Sequence, residues 1–72
     1  MDKSTFYLIR VKGHLDDALA AWFEDLTISN QEDGDAILSG SLPDQAALQG
    51  VLNRISNLSL TLISVNAMSD ED

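Results

Sequence analysis

The chain has no cysteine, one proline, one histidine and four basic residues, and each scarcity closes a class of function. Without cysteine there is no disulfide, no thiolate metal site and no thiol nucleophile. The cations Lys3, Arg10, Lys12 and Arg54 face twelve acidic residues and leave a formal net charge of −8, so the overall field repels phosphate backbones and no nucleic-acid partner is expected. A single histidine leaves no transition-metal set, and no metal or other cofactor is expected. No apolar run approaches the ~20 residues of a membrane span. Met1-Asp2-Lys3-Ser4 passes straight into a strand-like run with no apolar signal segment, from which a cytoplasmic location and no membrane partner are expected.

What the sequence does contain is apolar residues in a folding pattern. At 44% hydrophobic residues the chain is too apolar to stay disordered despite its charge. A chain this short buries only about 60% of the surface its unfolded form exposes, which supports one core. The expectation is a single domain over residues 1–68 with an acidic tail at 69–72.

"TFYLIRVK", Thr5 to Lys12, is β-branched and aromatic, with Tyr7, Ile9 and Val11 on one side and Phe6, Leu8, Arg10 and Lys12 on the other. After Gly13, the positions Leu15, Ala18, Leu19, Trp22 and Leu26 recur at three- and four-residue steps and predict a first helix, with Trp22 and Phe23 at the core or its margin. "TISNQE", Asp33-Gly34 and "DAILSGSL" predict a hairpin with a two-residue type I′ turn that sets Glu32 opposite Asp35. Leu48, Val51, Leu52 and Ile55 mark a second helix, ending near Asn57 in a left-handed residue, and "LTLISV" is a closing strand. The order β-α-β-β-α-β predicts an α+β, ferredoxin-like βαββαβ fold, a four-stranded antiparallel sheet with both helices on one face and strands one and three central.

The most motif-like stretch is "DQAALQG", residues 44–50. Asp44 follows Pro43 and precedes good helix formers, so its carboxylate is placed to accept from first-turn amides. Gly50, costly inside a helix, is expected to allow a close approach to the first helix near Trp22. With "VKGHLD", "WFEDLTI", "EDG", "LNRI" and "LTLISV", this stretch resembles a family of small stand-alone bacterial proteins over nearly the whole chain. The resemblance implies the ferredoxin-like fold and a bacterial, cytoplasmic origin; the family is functionally uncharacterised, so no activity is implied. Such proteins tend to read Asp-Gln-Ala-Ala-Leu-His-Gly, where this chain has Gln49, so no role of that histidine carries over. They also tend to have glycine where this chain has Ser59 and proline where it has Thr61.

His14 is the only side chain whose unperturbed pKa lies near neutrality, which makes it the default acid–base candidate. With the starts of both helices expected at one end of the sheet, Lys12 and His14 are expected near Asp44 and Gln45, a candidate small-molecule or catalytic end, the alternative place for such a site being a pocket between subunits. No serine or cysteine nucleophile stands beside His14 in sequence, so catalytic residues are not assigned. "SNQEDGDAILSG" has the Asp-Gly of a calcium loop but puts Ser29 and Gly40 where that loop needs an aspartate and a bidentate glutamate. RNA-recognition domains share the topology and stack bases on strands one and three, but "DAILSGSL" has no aromatic residue.

The leading expectation is a non-enzymatic interaction or regulatory module that forms a homodimer through the helix-free sheet face. Leu8, Arg10, Leu38 and Leu62 are its expected self-association residues, and a further protein partner is compatible with the same face.

Overall fold

The computed structural model describes residues 4–68, so the acidic segment 69–72 lies outside the described residues. The chain runs β1 (Thr5–Lys12), α1 (Asp17–Ala20), a 3₁₀ turn (Ala21–Phe23), β2 (Thr27–Asn30), β3 (Asp35–Leu42), α2 (Gln45–Asn57) and β4 (Thr61–Met68). The architecture is α+β, one four-stranded antiparallel sheet in the order β2-β3-β1-β4 with two helices. β1 and β3 are interior and β2 and β4 are the edges, as the sequence pattern predicts.

Strand alternation decides the core. Tyr7, Ile9 and Val11 point to one side of β1, and their cross-strand partners Gly40, Leu38 and Ala36 share that side. All but Gly40 are buried, in one cluster with Leu15, Phe23 and Leu26 and with Val51 and Ile55 of α2. Leu48 and Leu52 pack against it, which accounts for the apolar stripe of α2. Gly40 is glycine for a steric reason: a Cβ there would stand 2.9 Å from Leu26 Cδ2.

The hairpin corrects the expected register. The Gln31 amide donates to the Asp35 carbonyl (2.7 Å) and the Gly34 amide to the Gln31 carbonyl (3.2 Å), so the loop has three residues, Glu32-Asp33-Gly34. Within it only Gly34 takes a positive φ, 99°, whereas a type I′ turn needs two such residues. The Asp33 side chain steadies this loop by accepting from the Asp35 amide at 3.0 Å. Thr27 therefore pairs with Ser39 and Ile28 with Leu38. The expected pairing of Glu32 with Asp35 is off by one residue, and one residue exchanges the faces of a strand.

Three further expectations change. α1 is a single turn that tightens to 3₁₀, and the change of pitch buries Phe23 while Trp22 is 57% exposed. A Cβ on Gly50 would meet nothing within 4 Å, so Gly50 serves no close approach to Trp22. The left-handed residue after α2 is Ser59 (φ 62°), not Asn57. There the Ser59 amide donates to the Ser56 carbonyl and the Leu60 amide to the Ile55 carbonyl, each at 3.0 Å, the paired bonds of a Schellman motif.

Candidate functional site

The expected polar end does not assemble. β1 and β3 are antiparallel, with Lys12 across from Asp35 and Thr5 across from Leu42. Asp44 and Gln45 follow Leu42, so they stand at the opposite end of the sheet from Lys12 and His14, about 23 Å away at strand rise. Each residue has a local setting instead. His14 Nε2 donates to the Gln31 carbonyl at 2.5 Å, beside a second tie in which Asn30 accepts from the Leu15 amide (2.9 Å) and donates to the Leu15 carbonyl (3.1 Å). These bonds fasten the loop after β1 to the end of β2. Asp44 Oδ1 accepts from the Ala47 amide at 2.8 Å, the expected helix cap, while Gln45 is exposed. Asp16 caps α1 in the same way, accepting from the Leu19 amide at 2.9 Å.

The helix-free face differs in membership from expectation. Leu38 is fully buried among the helices, because it stands opposite Ile9 rather than beside Leu8. Leu62 pairs with Val11 across a bulge in the β1–β4 ladder and so belongs to the helix side of the sheet. Leu8 and Arg10 keep their expected places. Their neighbours on the open face are Ser39 and Ile37 on β3 and Asn66 and Ser64 on β4. Phe6 completes the row with Met68 and Ser41.

Phe6 and Met68, paired across β1 and β4, are 43% and 47% exposed, and with half-buried Leu8 and Ile37 they make the apolar part of this face. A shallow groove of about 140 Å³ runs between Leu8, Arg10, Ile37, Ser64 and Asn66. Sequence reasoning overlooked Ile37 because the hairpin register was displaced, and Met68 because the last strand was expected to stop at Val65.

One charged cluster closes the far side of the groove. Arg10 Nη1 donates to Asp35 Oδ2 at 2.9 Å and to Asp33 Oδ2 at 3.2 Å, which pins the hairpin loop to the central strand. These carboxylates raise the Arg10 pKa further above its ordinary value, the Asp35 hydrogen bond foremost. The Asp33 carboxyl is held below the usual range, first by the Asp35 amide and then by Arg10, against some desolvation. Lys12 stands across from Asp35 on the same face. Two of the four basic residues thus lie beside two carboxylates, and the face is locally balanced in a chain of net charge −8.

A second, more open cleft of about 330 Å³ lies between Ala21, Trp22, Glu24, Asp25 and Arg54, where Arg54 Nη1 donates to the Trp22 carbonyl at 3.2 Å. Among the described residues no group of three or more His, Cys, Asp or Glu is placed to hold a metal ion, and no helix is long and apolar enough to cross a membrane.

A family described as a domain of unknown function (DUF8691) matches residues 6–66. No curated protein and no solved structure matches.

Proposed function

The chain belongs to DUF8691, a domain family of unknown function, and from that premise we propose that it is a non-enzymatic interaction module that forms a homodimer through its helix-free sheet face. The observation that carries the reading is the exposed Phe6–Met68 pair, continuous with Leu8 and Ile37 on a face that no element among the described residues covers. Such a patch on a small domain marks an interaction surface. The occupant is a second copy because of charge. Among the described residues the acidic excess sits elsewhere, at Asp16, Asp17, Glu24, Asp25, Glu32 and Asp44, whereas this face balances Arg10 and Lys12 against Asp33 and Asp35. Two chains of net charge −8 meet with least repulsion here.

The architecture is read as ferredoxin-like, supported by the element order and by the interior placement of β1 and β3. The same reading takes the protein as bacterial and cytoplasmic, in line with the small proteins that "DQAALQG" resembles. The separation of Lys12 and His14 from Asp44 and Gln45 weighs against a small-molecule site at the end of the sheet.

Methyl NMR on dilution tests the dimer face. Resonances of Leu8, Ile37 and Met68 are expected to shift with concentration while those of Leu38 stay fixed. Shifts confined to other surfaces, or none at all across the range, overturn the assignment.

A further inference from the structure

Among the described residues three of the five large apolar side chains left exposed, Leu62, Ile63 and Met68, belong to β4, and a fourth, Phe6, is paired with Met68. β4 is an edge strand of eight residues, "TLISVNAM", with no charge and no proline. Edge strands of soluble proteins are usually blunted by lysines, prolines, shortness or bulges, because their outward amides and carbonyls template pairing with another chain. The other edge here follows that rule: β2 has four residues, and Glu24, Asp25, Glu32 and Asp33 flank it. On β4 the only such device is the bulge opposite Arg10 and Val11. It leaves Ser64–Met68 in unbroken register with Phe6–Arg10.

We infer that β4 is a second contact between copies of this chain, in which two β4 edges pair antiparallel about a twofold axis normal to the sheet and form a continuous eight-stranded sheet. An antiparallel edge is complementary to itself under a twofold, so a second copy needs no other sequence to match it. Charge does not oppose this partner: two chains of net charge −8 touch here along strands that carry none of that charge. This inference adds to the face-to-face contact proposed above. That contact has its twofold in the plane of the sheet, and where it meets the edge twofold at a right angle the copies close into a tetramer of D2 symmetry.

Native mass spectrometry of four proteins separates the two contacts. The edge variant is Ile63→Lys with Ala67→Lys, two exposed positions whose lysines oppose one another across a twofold near Val65. The face variant is Leu8→Asp. The wild type is expected as a tetramer, each variant as a dimer and their combination as a monomer, with circular dichroism unchanged in the edge variant. Hydrogen exchange supplies a readout that needs no variant: alternate amides of Ser64–Met68 are expected to exchange more slowly as protein concentration rises. A mass unaffected by the lysines, with exchange independent of concentration, overturns the edge contact and leaves the face reading standing. A mass that falls with the lysines and not with Leu8→Asp overturns the face reading and keeps the edge. A foreign peptide retained on β4 in place of a second copy also overturns the inference.

Discussion

Leu38 stands directly across the β1–β3 ladder from Ile9, and neither side chain is reached by solvent. This pairing fixes which face of β3 is core, so Leu38 and Leu8 should respond oppositely to substitution. Leu38→Ala is expected to lower stability by about 2–5 kcal/mol, through lost burial and the cavity left behind. Leu8→Ser, on the open face, should cost less than about 1.5 kcal/mol, because less apolar surface returns to water. Urea melts at a concentration low enough to dissociate oligomers measure both. Equal losses would mean that the register is wrong.

Gly40 and Gly50 give a second contrast. Gly40→Ala drives a methyl against Leu26 and is expected to destabilise by about 1–3 kcal/mol, the usual range for overpacking. Gly50→Ala adds a methyl to open space inside α2 and should stabilise by about 0.5–1 kcal/mol, since the helix no longer carries the entropy cost of glycine. Thermal melts read the sign directly. A destabilising Gly50→Ala would show that something packs on that position.

Ser59 occupies a left-handed conformation that glycine adopts without strain. Ser59→Gly is expected to raise stability by about 1 kcal/mol, from relief of the Cβ–carbonyl clash, offset in part by greater freedom of the unfolded chain. A lower melting midpoint for Ser59→Gly would mean that the serine side chain makes a contact that outweighs the strain.

Elements governed by local chemistry were legible in the sequence. Asp44 caps because an acceptor ahead of three helix formers has little else to do, and the face of β1 follows from period-two alternation. Features set by one residue of register or by chain direction were not. Asp33-Gly34 suits both a two-residue and a three-residue loop, and the difference rests on whether Gln31 or Glu32 closes it, a backbone hydrogen bond with no side-chain signature. That single step moved Leu38 from the open face into the core. The polar end failed for a topological reason: antiparallel β1 and β3 finish at opposite ends, so adjacency of strands did not bring His14 to Asp44. Trp22 was misplaced because period 3.6 was extended through a segment that tightens after one turn.

The hairpin loop holds a carboxylate whose contribution to stability depends on pH. The Asp33 carboxyl is depressed below its ordinary value of 3.8, so its contribution to stability is fully present above that pH and is lost as pH falls through the lowered folded value. In Asp33→Asn the amide oxygen still accepts from the Asp35 N–H, but the charge facing Arg10 is gone. The stability gap between wild type and Asp33→Asn is expected to be constant above about pH 5 and to shrink below the ordinary carboxylate range. Urea midpoints from pH 6 to pH 2 check this. A gap that widens with acid would mean that Asp33 is protonated more readily in the folded state than in the unfolded one.

Analytical ultracentrifugation of the wild type against Leu8→Asp, across low to high micromolar concentration, tests the helix-free face most directly. The account predicts an associated wild type and a variant of half its mass, with the helical circular dichroism signal retained. A wild type that sediments as a 7.8 kDa monomer throughout, or a folded Leu8→Asp variant that associates as fully as the wild type, contradicts it.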